Sequence, residues 1–330
     1  MTPVIEVNRL SVAFGSMQVT DRVSFRIFPG EFFALVGESG CGKSVSAMGI
    51  LRLLPYPSSK IVEGEAVFCD GDNEVNLTTL PLKKLQKYRG SKIACIFQEP
   101  MQALNPVVRI KKQLLEVFKF CDHADLKVNP EDEIRRLMLL AGFTDVNRVL
   151  ESFPHELSGG MLQRVCIVMA LLPRPKLIIA DEPTTALDVT VQAQVLGVLK
   201  EMSQSVGTAV LLITHNMGIV SQYAQRVAVM YAGRIVETGT VEAVIENPLH
   251  PYTQGLLAAI PESHSQLGTL KSIPGSVPQP KDFAEGCRFA DRCEKCANAS
   301  EIDQCKCRSR ELPPRVISPQ DKEHLFYCHL

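Results

Sequence analysis

The first apolar and polar positions of the chain follow the spacing of β-strands. Residues 4–7 and 23–27 alternate between apolar and polar side chains, as strands of a half-buried sheet do. Residues 31–36 form a short apolar run that ends at Gly37, which is typical of a buried strand. Residues 45–54 have the pattern of a helix. The pattern therefore predicts a strand, a glycine-rich loop and a helix in that order.

The middle of the chain has helical rather than strand spacing. Residues 111–120 and 131–141 predict helices, so we expect a helical insertion between residues 99 and 156. Strands and helices alternate again further along, with strands at 176–180, 209–214 and 227–230 and helices at 191–203 and 217–225. This alternation predicts a mostly parallel α/β core.

Composition agrees with a globular protein of more than one domain: 330 residues, 45% hydrophobic and 22% charged. A formal net charge of −1 argues against nucleic acid as the main partner. We find neither a secretory signal nor 18 consecutive apolar residues, so we expect a cytosolic chain that reaches a membrane through a partner. From about Pro248 proline, glycine and cysteine become frequent, which predicts a separate C-terminal appendage.

The glycine-rich loop has the residues of a phosphate-binding loop. Glycines let the backbone turn tightly, so that its N–H groups and the following helix N-terminus surround nucleotide phosphates. The lysine would reach the β- and γ-phosphates, and the serine hydroxyl would coordinate Mg²⁺. The loop consists of Gly37, Glu38, Ser39, Gly40, Cys41, Gly42, Lys43 and Ser44. Cys41 lies near N–H donors and a lysine, so we expect a lowered thiol pKa and an alkylation that ATP prevents.

Two carboxylates follow the apolar run 177–180, where α/β proteins place their ligands. Asp181 would hold the Mg²⁺ shell, and Glu182 would accept a proton from the attacking water. The alternative for such a pair is a helix cap or a solvated turn. His215 ends the next apolar run, which would place its ring near the γ-phosphate if the two strands are neighbours; the alternative is a structural histidine.

The segment Leu157-Ser-Gly-Gly-Met161, between Gln98 and the Asp181 strand, is a signature motif. With it the chain resembles the ATPase subunit of an ATP-binding cassette (ABC) transporter. The resemblance implies a phosphate-loop ATPase with a RecA-like parallel core, an antiparallel β subdomain and a helical subdomain. It implies a nucleotide-binding core at 1–98 and 165–247, a helical subdomain with the signature at 99–164, and a Cys-rich extension at 248–330.

In that superfamily two cassettes enclose two ATP molecules. Each ATP lies between one phosphate loop and the other subunit's signature, here Ser158, Gly159, Gly160 and Met161. Gln98 would sense Mg²⁺ and the attacking water, Asp188 matches the loop that crosses between cassettes, and Phe14 would stack on adenine. Phe14 has ordinary core packing as its alternative.

The C-terminal segments 247–257, 260–261 and 286–293 are similar to the dipeptide and oligopeptide importer branch. The resemblance implies a membrane-bound importer with a second ATPase chain, two membrane subunits and an extracytoplasmic binding protein, this chain lying on the cytoplasmic face. Nickel importers share the cassette motifs, so nickel stays an alternative cargo. A soluble ABC ATPase acting on nucleic acid or ribosomes is the alternative from another class.

Six of the eleven cysteines occupy the last 44 residues. Clustered thiols in a reduced compartment more often bind metal than pair with each other. The importer branch implies a [4Fe–4S] cluster on Cys287, Cys293, Cys307 and Cys328, with zinc as an alternative and Cys305 as the other choice for the third ligand.

Overall fold

The computed structural model describes residues 1–71, 73–119, 129–185, 187–259 and 273–329. Within these ranges the strands are β1 (Ile5–Phe14), β2 (Met17–Ile27), β3 (Phe32–Val36), β4 (Ser59–Asp70), β5 (Asn73–Asn76), β6 (Ile93–Ile96), β7 (Leu177–Asp181), β8 (Ala209–Thr214), β9 (Arg226–Tyr231), β10 (Arg234–Thr240), β11 (Arg315–Ile317) and β12 (Leu325–Tyr327).

The helices of the same ranges are α1 (Lys43–Ile50), α2 (Leu82–Leu85), α3 (Pro100–Ala103), α4 (Ile110–Lys119), α5 (Pro130–Leu140), α6 (Val146–Glu151), α7 (Gly159–Leu171), α8 (Val189–Val206), α9 (Met217–Tyr223), α10 (Val241–Glu246), α11 (Pro251–Ala258), α12 (Glu294–Ala297) and α13 (Glu301–Arg308). Short 3₁₀ turns cover Pro154–Glu156, Pro280–Asp282 and Ala290–Arg292. Phe120 and the Ile260-Pro261 pair, on which sequence predictions fell, lie outside the described residues.

The chain forms two compact units. The first comprises Met1–Val4, Ile27–Phe32 and Leu80–Ile213. In it β6 pairs with β7 and β7 with β8, all in parallel. The side chains of β8 are buried throughout, as are those of β7 up to Ala180, because parallel strands are covered on both faces. The predicted parallel core is therefore confirmed for these strands.

Helices α3 to α6 of the first unit lie within residues 99–156, where the helical insertion was predicted, and the signature helix α7 follows it. In α4 the buried positions Ile110, Gln113, Leu114 and Phe118 recur every three to four residues, so one face of the helix is covered. The caps follow from sequence, since the Asn129 side chain accepts a hydrogen bond from Glu131 N–H at the start of α5. The carboxylate of Glu133 then binds Arg136 within α5 and Arg174 after α7.

The second unit comprises Ile5–Arg26, Phe33–Thr79 and Thr214–Leu330. One of its sheets has the order β2-β1-β4-β5, with β4 antiparallel to β1 and β5, which confirms the predicted antiparallel β subdomain. In the other, β9 is parallel to β3 and antiparallel to β10, and β12 joins β10 to β11. Residues after 248 thus add two strands to this sheet.

Candidate nucleotide-binding site

The phosphate loop connects β3 to α1, as the sequence predicts. Gly42 caps α1 with a φ of 103°, a left-handed conformation that favours glycine. At Gly37 a Cβ atom would lie 2.1 Å from the carbonyl oxygen of Met230, so the backbone of the loop approaches β9 too closely for any side chain. These two glycines fix the path of the loop.

Lys43 is buried although it is charged, exposing 4% of its surface. Its Nζ donates to the carbonyl oxygen of Gly37 at 2.8 Å and to that of Glu38 at 3.0 Å. A buried ammonium group needs such partners to offset its lost hydration. The loop's own carbonyls therefore hold the cation next to the N-terminus of α1.

The expected lowering of the Cys41 pKa is wrong. Its side chain is fully buried, and burial raises the pKa of the thiol above its ordinary value. The positive charge of Lys43 acts in the opposite direction but is the smaller effect. Because the thiolate is the nucleophile, the burial of Cys41 and its raised pKa both disfavour alkylation.

In the first unit three predicted residues follow the carboxyl ends of neighbouring parallel strands. Gln98 lies two residues beyond β6, Asp181 is the last residue of β7, and Glu182 comes next. Since β6 and β7 pair in parallel, all three lie at one edge of the sheet. Gln98 is exposed and the two carboxylates are half-buried.

Glu182 has an uncommon backbone conformation, with a φ of 45°. Its N–H donates to the carbonyl oxygen of Ile213 at 3.0 Å, and its Oε2 accepts from the Thr185 hydroxyl at 2.9 Å. A non-glycine residue at positive φ is strained and persists only where its surroundings hold it. Such strain is a feature of functional sites, and here it occurs at the residue that directly follows β7.

The signature residues lie at the beginning of helix α7. Ser158 caps α7, and its Oγ accepts from the N–H of Met161 at 3.4 Å. A Cβ atom at Gly160 would lie 2.5 Å from Cγ1 of Val191, so α7 and α8 pack too closely for a side chain there. Ser158 and Gly159 remain exposed at this helix N-terminus, which favours an anion.

Three further predicted residues lie at the ends of elements. Asp188 caps α8, its Oδ1 accepting from Val191 N–H at 3.0 Å. His215 directly follows β8, which pairs with β7 as the sequence argument required, and is exposed. Phe14 ends β1 and is half-buried. In the phosphate loop Ser39, Gly40 and Ser44 are exposed.

Two residues that hold the phosphate loop were missed by the sequence analysis. The hydroxyl of Tyr252 accepts from the N–H of Glu38 at 2.9 Å, and Arg292 binds the carboxylate of Glu38. They lie 214 and 254 residues away from Glu38 along the chain. No local pattern reports a contact over such a separation.

The four cysteines proposed as ligands lie close together, and Cys296 joins them. Burial raises the pKa of Cys287 to about 11, and the nearby thiols of Cys293, Cys296 and Cys328 add to this. Burial likewise raises the pKa of Cys307 to about 12, with Cys296 as its hydrogen-bonding neighbour. Cys305 is exposed, so Cys307 is the residue that belongs to this group.

This cysteine group, Cys287, Cys293, Cys296, Cys307 and Cys328, is not arranged as a metal site. Within the described ranges no three His, Cys, Asp or Glu side chains are placed to hold one metal ion. Thiolates suit both zinc and iron–sulfur clusters, so the donor chemistry is right but the arrangement does not fit. No step of the function is therefore assigned to a cluster.

A buried strand, a glycine-rich loop with Lys43 and a following helix, in that order, define a phosphate-loop nucleotide-binding protein. The family described as "ABC transporter" matches residues 20–185, and the family described as "Oligopeptide/dipeptide transporter, C-terminal region" matches residues 236–299. The chain therefore belongs to the ATP-binding proteins of ABC transporters, an ATPase family.

Similar proteins agree with this assignment. The oligopeptide transport ATP-binding protein AppD of Bacillus subtilis (strain 168) is 44% identical over 92% of this chain and 91% of its own length. The dipeptide transport ATP-binding protein DppD of the same organism is 43% identical over 89% and 87%. The ATP-binding cassette MJ0796, solved as a dimer bound to ADP and Pi, is 25% identical, with a TM-score of 0.59 over 72% of this chain and 98% of its own. Across the described ranges, no helix has the length and apolar character needed to cross a membrane.

Proposed function

We infer that this chain is the ATP-hydrolysing subunit of an ABC importer that carries di- or oligopeptides across the cytoplasmic membrane. The observation that carries this is the presence in one chain of a complete phosphate loop and a C-terminal region of the oligopeptide/dipeptide transporter type. Relatives that match nearly end to end are named for oligopeptide and dipeptide transport.

ATP would bind at the phosphate loop, Gly37 to Ser44. The buried ammonium group of Lys43 already lies beside the loop carbonyls, from which it can turn to the β- and γ-phosphates. The backbone N–H groups at the start of α1 would bind phosphate oxygens. The half-buried ring of Phe14 would stack on adenine.

Ser44, Gln98 and Asp181 are the residues that would hold Mg²⁺. Hydroxyl, amide and carboxylate oxygens are the donors this cation prefers, and Ser44 and Gln98 are exposed. When bound, Mg²⁺ neutralises charge on the phosphates.

Glu182 would act as the general base. Water attacks the γ-phosphorus, its proton passes to the Glu182 carboxylate, and the bond between the γ-phosphorus and the bridging oxygen breaks to leave ADP and phosphate. The backbone strain at Glu182 supports a functional role for this residue. His215 would contact the γ-phosphate, and Ser158 to Met161 and Asp188 would complete the ATP site of a second cassette.

The finer assignments follow the importer branch. We propose a second, related ATPase chain, two membrane subunits and an extracytoplasmic binding protein as partners, with this chain peripheral on the cytoplasmic face of the inner membrane. The division into a nucleotide-binding core (1–98 and 165–247), a helical subdomain (99–164) and an extension (248–330) belongs to the same proposal. MJ0796, whose solved structure is a dimer, supports pairing of cassettes.

The [4Fe–4S] cluster stays a prediction. The thiol chemistry and the proximity of the cysteine group support it, whereas the placement of these side chains, which form no metal-binding arrangement among the described residues, opposes it. Iron and acid-labile sulfide, measured on protein purified without oxygen, decide the matter. Stoichiometric zinc in place of iron would favour the alternative site.

The function is tested by ATP hydrolysis in the transporter reconstituted in liposomes, with its binding protein loaded with dipeptides, longer peptides or nickel. Stimulation by a peptide supports the assignment of cargo and direction. Stimulation by nickel alone would overturn the cargo and keep the ATPase. No stimulation by any of these ligands would favour a soluble ABC ATPase instead.

A further inference from the structure

The guanidinium group of Arg292 binds the phosphate loop through the carboxylate of Glu38. Its Nη1 lies 2.8 Å from Oε2 and its Nη2 lies 3.0 Å from Oε1 of Glu38, a paired arrangement. Its Nε donates to the carbonyl oxygen of Pro274 at 2.7 Å, and Nη1 approaches the Tyr231 hydroxyl at 3.3 Å. Arg292 exposes 8% of its side chain, so it is fixed by packing as well as by hydrogen bonds.

A second residue of the C-terminal extension holds the backbone at the same point. Tyr252 is fully buried, and its hydroxyl accepts from the N–H of Glu38 at 2.9 Å. Its ring packs against Tyr231 at 4.6 Å and against Phe289 at 5.4 Å between centroids. These aromatic contacts keep the hydroxyl in place under the loop.

The residue that they hold is the one that binds the lysine of the loop. The carbonyl oxygen of Glu38 accepts from Lys43 Nζ, as does that of Gly37. Glu38 is therefore held at its N–H by Tyr252 and at its carboxylate by Arg292, while its carbonyl positions the lysine. Arg292 also offsets a negative charge that would otherwise repel an incoming triphosphate.

We propose that Arg292 and Tyr252, in the C-terminal extension, are positioning residues for ATP binding, which act by fixing Glu38 and through it the ammonium group of Lys43. Preorganised groups bind more tightly because they do not lose conformational freedom on binding. The C-terminal extension thus raises the affinity of the phosphate loop for ATP. This inference rests on the proposed role of Lys43 in ATP binding.

Arg288 offers a matched control in the same segment. It also exposes 8% of its side chain, and its Nη2 lies 3.1 Å from Oδ2 of Asp21, while its Nη1 donates to the carbonyl oxygen of Ala232. Among the described residues, its hydrogen bonds and ion pair are with Asp21, Ala232 and Ala284, none of which belongs to residues 37–44. Arg288→Gln therefore removes a buried cation from the extension without touching the phosphate loop.

The test is the Kd of a fluorescent ATP analogue for the full-length chain, with KM and kcat for ATP in the assembled transporter. We expect Arg292→Gln to raise Kd and KM about tenfold, which corresponds to about 1.4 kcal/mol, with kcat changed less than about twofold. Arg292→Lys, which keeps the charge but loses the paired bonds, should fall between. Tyr252→Phe removes one hydroxyl and should raise Kd about threefold.

Coupling to Glu38 separates positioning from general damage. In a Glu38→Gln background, Arg292→Gln should change Kd by less than about twofold, because its partner carboxylate is gone. Arg288→Gln should leave Kd within about twofold while lowering the unfolding midpoint as much as Arg292→Gln does. The proposal is overturned if Arg292→Gln affects Kd no more than Arg288→Gln, or equally in both backgrounds.

Failure of this inference and failure of the proposed function have different signatures. If the unmodified chain does not bind ATP, or Lys43→Met binds it equally well, the proposed role of the loop fails. If Lys43→Met abolishes binding and Arg292→Gln does not weaken it, only the role of Arg292 fails.

Discussion

Nε2 of His324 lies 2.7 Å from Oε1 of Glu237, and both side chains are excluded from solvent. The Glu237 carboxylate also accepts from the N–H of Leu249 at 2.8 Å and from that of His250 at 2.9 Å. A buried carboxylate requires such donors to compensate for its lost hydration. One side chain of β10 therefore anchors both the start of the extension and the segment before its last strand.

Replacement of Glu237 tests this anchor. Glu237→Ala should lower the free energy of unfolding by about 3 kcal/mol, because it leaves the N–H groups of Leu249 and His250 and the ring nitrogen of His324 without their partner. Glu237→Gln keeps one accepting oxygen and should cost less. Denaturant unfolding of the full chain measures both, and a loss below about 1 kcal/mol for Ala would contradict the anchor.

His250 should make stability depend on pH. Burial lowers its pKa from 6.5 to about 3, with the positive charge of Lys295 as a smaller cause, and its Nδ1 accepts from Tyr252 N–H. The unfolded chain therefore binds a proton below about pH 6.5 that the folded chain excludes until about pH 3. Stability is complete above the unfolded pKa and falls as pH decreases, by roughly 2 kcal/mol between about pH 7 and pH 5.

His250→Asn is the control for that prediction. Asparagine also caps a helix N-terminus but does not titrate, so this part of the pH dependence should vanish. Unfolding is measured across the pH range for both proteins. Equal slopes would assign the effect to other groups.

Glu182→Gln should retain ATP without hydrolysing it, because the amide cannot accept a proton from water. Turnover in the assembled transporter should fall at least about a hundredfold, with ATP still bound after gel filtration. Glu201→Gln, an exposed carboxylate on α8, is the matched control and should turn over normally. Normal hydrolysis by Glu182→Gln would remove the assigned role.

Gly160→Ala should destabilise the first unit by about 1–3 kcal/mol, because the new methyl group would overlap Val191 Cγ1. Val191→Ala in the same chain should restore most of the loss by vacating that space. Thermal unfolding of the single and double variants measures the compensation. Without rescue, close packing of α7 on α8 would not explain the glycine.

Thiol labelling should begin at Cys305. Its side chain is exposed, whereas Cys41 is buried and its pKa is raised. A short pulse of N-ethylmaleimide followed by peptide mass spectrometry should find Cys305 modified and Cys41 untouched, with or without ATP. Cys305→Ser should remove the early product, and rapid labelling of Cys41 would restore the expectation from sequence.

The bounds of strands that are buried on both faces were predicted most accurately. β7 and β8 consist of continuous apolar runs, and their observed bounds lie within one residue of the prediction. β1 was predicted only to Val7, because a bulge follows: register shifts between Asn8 and Ser11, and Arg9 has a φ of 51°. Opposite it, Gly64 leaves room for the backbone of Arg9.

The identities of the candidate site residues could be predicted from motif spacing, whereas their pKa shifts and ion pairs could not. Gly37, Lys43, Asp181 and Glu182 belong to short motifs that directly follow predicted strands, so the sequence was enough to select them. The pKa of the Cys41 thiol depends instead on how deeply the side chain is buried, which the sequence does not report. Burial raises this pKa by more than the nearby charge of Lys43 lowers it. The paired hydrogen bonds between Arg292 and Glu38 likewise depend on tertiary structure that the sequence does not report.

The paired bonds between Arg292 and Glu38 also bear on how relatives can be recombined. A chimaera that joins residues 1–247 of this chain to the extension of another protein keeps Glu38 but imports whatever that protein carries at position 292. Unless the imported residue is an arginine, the graft leaves an acidic group in the nucleotide loop without its counter-charge. Successful exchanges should therefore transfer both positions together.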